Sequence, residues 1–324
     1  MLTVQQVFDL GLKMGMVADP RGEKIAKKTL ERAKKEYEEL KSDEKEYFDK
    51  ERLINPYSDS RIHAGDPKAP VKRVMAGIDI GSEEILLASQ LNERGKKIDL
   101  IIAHHPVGQS LADLHSVMEM LIDIYVNHGV PVHVAEKVFE ERIKEVGRGV
   151  HPINHFQIID TANLLKANLI NTHTFTDNLV EEFIHGVITK EKPENIGELL
   201  KLLLKIPEYQ EAKRRGSGPK LFTGSNNRRV GKFIVDMTGG TSPSHRVYQE
   251  LSRAGVSTIV GMHINEPSTE KANEFNLNVV IAGHISSDSL GMNLYLDELE
   301  KKGIEIVPCG GLIRVSRIKK SAKK

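Results

Sequence analysis

The chain has a single cysteine, no tryptophan and almost no net charge, and each shortage argues against a class of function. With Cys309 alone there is no intramolecular disulfide and no thiolate-rich metal site. Its setting, Pro308-Cys309-Gly310-Gly311, reads as a small apolar residue beside a turn rather than a nucleophile. Aromatic residues make up 5% of the chain, which weakens any reading based on base stacking. Lys and Arg number 46 against 45 Asp and Glu, so broad attraction to nucleic acid or to an anionic membrane is not indicated. No apolar stretch approaches membrane-spanning length, and Met1 to Met16 lacks a basic start and a signal-cleavage pattern, so the expected compartment is the cytoplasm. A Gly-x-Ser-x-Gly elbow, a P-loop and a Gly-x-Gly-x-x-Gly fingerprint are all missing.

What is present is the composition of an ordinary globular protein, 39% hydrophobic and 28% charged, on 324 residues that can bury a core and divide in two. Residues 1–70 read as a charged helical extension. Pro20 to Arg52 is dense in Lys and Glu, with Ile25, Leu30, Ala33, Tyr37 and Leu40 near helical spacing. From Val71 strands and helices alternate: Val74–Ile80 as strand, Ser82 as N-cap, Glu83–Arg94 as helix, Ile98–Ala103 as strand, Leu111–Gly129 as helix and Val130–Ala135 as strand. The spacing predicts a first α/β half over 71–190, a connection or lid over 191–230, a second half over 231–318 and a basic tail over 319–324.

The second half repeats the first. Met75–Ser82 and Val235–Ser242 both run strand, glycine turn, serine, helix, glycine, apolar strand and histidine, which sets His263 opposite His105 and Met262 opposite His104. Ligands in open α/β sheets gather at the carboxyl ends of strands. Three such ends carry histidine: His104-His105 after Ile98–Ala103, His173 with Asp177 after Leu169–Asn171, and His284 with Asp288 after Val279–Ala282. Imidazoles and carboxylates without thiolate suit Zn²⁺, Mn²⁺ or Fe²⁺. Such a metal lowers the pKa of water from ~15.7 to ~7, which is a route to hydrolysis. Thr238-Gly239-Gly240-Thr241-Ser242-Pro243 reads as a strand end, a turn and a helix start capped by Ser242, either a plain tight turn or an anion cradle. His151 and His155 read as surface loop residues.

These motifs, in this order over roughly 71–315, resemble those of the Nif-three-like family, often described as type-two GTP cyclohydrolase I: Ala103-His104-His105-Pro106-Val107, His173-x3-Asp177, the Thr-Gly-Gly segment, and Gly283-His284-x3-Asp288. The resemblance implies an α/β fold of two pseudo-symmetric lobes, a homohexamer, and two divalent transition metal ions per chain (Zn, Fe or Mn). It implies His104, His105, Asp177, His284 and Asp288 as ligands, with His173 beside them. The chain departs from the family at Asp288, where Glu is usual and reaches one methylene further, and at Gly261-Met262-His263 in place of Thr-Gly-Glu. The expected activity is metal-dependent hydrolysis of a small phosphorylated or nucleotide-like substrate, with His173 or His263 moving the proton. The competing expectation is a non-enzymatic metal-binding or regulatory protein.

Overall fold

The structure, a computed structural model, describes residues 1–318; the basic tail expected over 319–324 lies outside the described residues. Two sheets carry the α/β lobes. In the first, Glu305–Cys309, Arg73–Gly77, Leu100–Ala103 and Leu169–Thr172 lie parallel in that order, and Ser60–Ala64 closes the edge antiparallel to Leu169–Thr172. In the second, Lys232–Asp236, Val256–Gly261 and Asn278–Ile281 lie parallel, and Lys220–Thr223 closes the edge antiparallel to Asn278–Ile281. The repeat is therefore deeper than the segments that display it in the sequence. Each lobe has three consecutive parallel strands, preceded by an antiparallel edge strand that pairs with the third. The four residues of Leu100–Ala103 are all buried, as expected of a parallel strand covered on both faces.

The third strand of each lobe feeds a long helix, His173–Glu191 in the first and His284–Lys301 in the second. Phe175 and Leu179 of the one and Met292, Tyr295 and Leu296 of the other share a core with Val74, Leu100 and Ile170. Val180, Ile184 and Ile188 turn into a second core with Val235, Val260 and Val280. The two helices meet at Gly291, where any Cβ would overlap the carbonyl oxygen of Thr176.

Several expectations change. Val130–Ala135 is not a strand: helix Val132–Val150 starts there, because the β-branched run opens an apolar stripe, Ala135, Phe139, Val146 and Val150, with helical rather than alternating spacing. Leu111–Gly129 is broken into Gly108–Ala112, Leu114–Val117 and Met120–Asn127. Helix Ser82–Glu93 is capped by Gly81, whose N–H donates to Glu84 at 2.7 Å, so Ser82 is inside it.

Residues 1–70 are a charged helix only over Glu23–Glu39. Helix Val4–Val17 starts at a capping box between Thr3 and Gln6 and packs Phe8 edge-on against Phe175, and Ser60–Ala64 is a strand of the first sheet. The segment over 191–230 contributes Ile196, Leu199, Leu203 and Tyr209 to the second core and a sheet strand. At the far end, Glu305–Cys309 crosses over to join the first sheet.

Gly291→Ala gains up to about 1 kcal/mol of helix propensity but forces two backbones apart. We expect a net loss of about 1–3 kcal/mol, read as a lower midpoint in chemical denaturation with an unchanged slope.

Candidate metal centre

His104 and His105 extend the Leu100–Ala103 strand: their N–H groups donate to the carbonyls of Gly77 and Ile78 at 2.9 and 3.0 Å. His173 and His284 each open a helix, and Asp177 and Asp288 follow one turn later on the same face. The helix crossing at Gly291 brings these two faces together, and the five expected ligands converge with His173 among them.

His104 Nε2 lies 3.4 Å from Asp177 Oδ1 and 3.6 Å from Asp288 Oδ1. Asp288 Oδ2 is 3.4 Å from His105 Nε2 and 3.5 Å from His284 Nε2, while His173 Nε2 is 3.8 Å from Asp177 Oδ2. These separations exceed hydrogen bonds. They match two ligands about 2.0–2.1 Å from a shared ion at a tetrahedral angle, which stand roughly 3.4 Å apart. His104, His105 and Asp288 form one group that could hold a metal ion, and His104, His173 and Asp177 form another. Although one methylene shorter than Glu, Asp288 faces three imidazoles.

The other ring nitrogens are engaged elsewhere. His104 Nδ1 is 3.0 Å from the Thr176 hydroxyl, whose proton goes to the carbonyl of Thr172, so the hydroxyl accepts and Nδ1 carries the hydrogen. His105 Nδ1 donates to Asp79 and His173 Nδ1 to Asp59, each at 2.7 Å. All three imidazoles are thereby set with Nε2 facing the carboxylates, the arrangement by which outer partners orient metal-binding histidines. Ile78 and Asp79 N–H both donate to the carbonyl of Gly310, so the turn after Glu305–Cys309 fixes Asp79.

The centre is costly as it stands. Asp177 Oδ1 and both oxygens of Asp288 are buried with no hydrogen-bond partner. Burial, with Asp288, Asp59 and Glu181 nearby, holds the Asp177 carboxyl well above the usual carboxylate range. Burial and the neighbouring imidazoles push His104 well below its ordinary value. Burial works against a charge on His105 too, but Asp288 and Asp79 outweigh it and carry it up to about 8. Orphaned carboxylate oxygens facing oriented imidazoles are what a divalent cation satisfies, and the residues fit one.

His263 belongs to neither ligand group. Its Nδ1 is 2.9 Å from the Ser242 hydroxyl, and its ring centroid is 4.8 Å from that of His284, on the wall of a cleft. Burial, then the neighbouring His284, lower its pKa. The cleft is floored by Asp177, His173, His284 and Asp288 and walled by Asp236 and the 237–243 loop. That loop is not a helix start: the next helix is Val247–Arg253, so Ser242 does not cap one and no helix N-terminus forms an anion cradle there. Gly239 and Gly240 adopt φ of 91° and 86° and seat the loop against Leu121 and Val117. His151 ends helix Val132–Val150 and His155 bonds the Val150 carbonyl, both away from the centre. Burial pushes the Cys309 thiol up to about 12, in keeping with a structural residue.

Asp59, Asp79 and Thr176 escaped the sequence analysis. Asp79 stands just past the carboxyl end of Arg73–Gly77, where the strand-end rule could have found it, and Thr176 is one turn inside a helix whose start was already marked. Nothing local marks Asp59.

No family model and no curated protein sequence matches the chain. Solved structures do. A NIF3 superfamily protein from Sphaerobacter thermophilus is 28% identical, with a TM-score of 0.70 over 79% of this chain and 92% of that one. Reduced HcgD from Methanocaldococcus jannaschii shares the fold at 15% identity and a TM-score of 0.51, covering 76% of this chain and 87% of that one. That likeness, found in a chain that brings the two His-x3-Asp motifs and the His-His pair to one point, supports a NIF3-like family for this protein.

Proposed function

We propose that the protein is a divalent-metal-dependent hydrolase acting on a small phosphorylated or nucleotide-like substrate. The observation that carries this reading is the set of buried carboxylate oxygens with no partner, facing imidazoles whose tautomers are already set, at the floor of an open cleft. His104, His105, His284 and Asp288, with Asp177 and His173, would hold one or two ions. A bound cation supplies Lewis acidity and brings deprotonation of water into the neutral range.

The chain's own residues do the rest. Asp59, Asp79 and Thr176 keep the ligand rings from turning. His263, neutral at pH 7 and steadied by Ser242, is placed to take a proton in the cleft; His173, held among the ligand atoms, is less free to do so. No Phe or Tyr lines the cleft, and its only aromatic rings are the imidazoles of His173, His263 and His284. Assembly into a homohexamer belongs to the same proposal, with a native mass six times that of the chain.

Three outcomes are expected. Asp177→Ala should remain folded, lose transition metal measured by elemental mass spectrometry, and lose turnover on a phosphoester panel. His263→Ala should keep its metal and lose about 10²–10⁴-fold in kcat; full metal loading with no turnover in the native protein would favour a metal-binding or regulatory role instead. Third, a cation must displace the proton that His105 holds up to about pH 8, so apparent metal affinity should rise from pH 6 to 8 and then level, as followed by competition with a chelator.

A further inference from the structure

Beside the cleft runs a second depression that the reading so far leaves without a role. It is a groove of about 1050 Å³ between helix Val132–Val150 and the loop that follows Ser242. Glu141, Arg142, Lys144, Glu145 and Arg148 line one wall, and Ser244, His245 and Arg246 line the other. On the helix Glu141, Lys144 and Arg148 stand three and four residues apart, as do Arg142 and Glu145 at three, so the five share one broad face.

Cations exceed anions in the groove. Glu141 is paired with Arg246 and Lys137, and Glu145 with Arg142 at 3.0 Å. Arg148 has no carboxylate partner among the described residues, and its side chain is exposed. Lys144 is paired with Glu140 of its own helix, so of the four cationic side chains in the lining, Arg142, Lys144, Arg148 and Arg246, Arg148 alone has no carboxylate partner among the described residues. Surface ion pairs hold their partners weakly, and a concavity concentrates field lines, so positive charge lining it attracts anions.

The groove and the metal cleft share a wall, since Pro243 lines both. Ser242 joins them: its carbonyl accepts from Arg142 Nε at 3.1 Å on the groove side, while its hydroxyl holds His263 on the cleft side. A molecule spanning this ridge would present one end to the metal centre and the other to the Arg148 guanidinium, whose fork matches phosphate oxygens two at a time, with Arg246 beside it able to exchange Glu141 for the anion.

We propose that the groove binds the phosphate-bearing end of the substrate, a diphosphate or longer, while the bond to be hydrolysed lies in the cleft. This rests on the hydrolase reading for the role of the bound anion, although the site itself stands on the groove alone. The excess charge and the concave shape favour a compact polyanion over a nucleic-acid backbone, which would need a basic track running beyond the groove.

The experiment is calorimetric titration of inorganic pyrophosphate into the metal-free full-length protein, into Asp177→Ala/Asp288→Ala, and into Arg148→Glu/Arg246→Glu. Inorganic phosphate, succinate and a 20-nucleotide single strand serve as comparisons. We expect pyrophosphate to bind the native protein and the aspartate variant alike, and the arginine variant at least tenfold more weakly, with succinate weaker than pyrophosphate throughout. Arg148→Lys, which keeps the charge and loses the fork, should fall between. Near-ultraviolet circular dichroism of the arginine variant shows whether it has folded; if it has not, Arg148→Lys alone decides. Pyrophosphate binding that vanishes with the aspartates but survives loss of the arginines would overturn the proposal, as would no binding at all. So would an oligonucleotide that binds more tightly and displaces pyrophosphate. If the groove binds and no phosphoester is turned over, the hydrolase reading fails and the anion site stands.

Discussion

Asp177 and Asp288 are carboxylates carried into the interior by two helices that touch backbone to backbone, and the rest of the architecture is arranged around that contact. Taking an ion out of water costs several kcal/mol unless it is paired or coordinated. The interior surrounds them with oriented groups, imidazoles from the first sheet and His284 from the second lobe, with Asp59, Asp79 and Thr176 behind, yet leaves Asp177 Oδ1 and both Asp288 oxygens without a hydrogen bond. The contact requires glycine at 291, and the N-terminal helix must lie flat on Phe175, with Gly11 and Gly15 also too close to it for a side chain. Packing and electrostatics are thus one constraint here, because a shift in either helix moves a charge.

The lobes are duplicates that have divided their labour. Both place His-x3-Asp after the third strand, and both aspartates reach the centre. After the second strand they differ. The first lobe has His104 and His105, which face the carboxylates, and the second has Met262 and His263 at the corresponding place. There the methionine is buried in the core and the histidine stands on the cleft wall. One half of the repeat supplies most of the groups that could hold a metal, while the other supplies the cleft wall and, through Ser242, the ridge above it.

The residues that converge on the candidate centre were legible in the sequence because they sit where the chain changes periodicity. Leu100–Ala103 is a short apolar run stopped by His-His-Pro, and the other two groups begin helices straight after similar runs. Local pattern failed where tertiary packing overrides it. Val130–Ala135 has strand composition, yet its valines open a 19-residue helix whose stripe shows only further along. Residues 1–70 looked peripheral because the charged helix Glu23–Glu39 dominates their composition. The short apolar helix Val4–Val17 and the edge strand Ser60–Ala64 are nevertheless built into the first lobe. Asp59 fell in that same stretch, and only long-range pairing brings it to His173.

The crossing of strand Glu305–Cys309 back to the first sheet has a consequence for how the centre comes into being on the ribosome. His104 and His105 are synthesised early, but Asp288 arrives far later, and Asp79 is pinned by the Gly310 carbonyl only after the last strand has docked. A nascent chain can offer a passing cation little more than a pair of loosely held imidazoles. The full set of facing groups exists only once the last strand has docked, so any cation the centre could hold would meet its complete set of partners only in the finished chain.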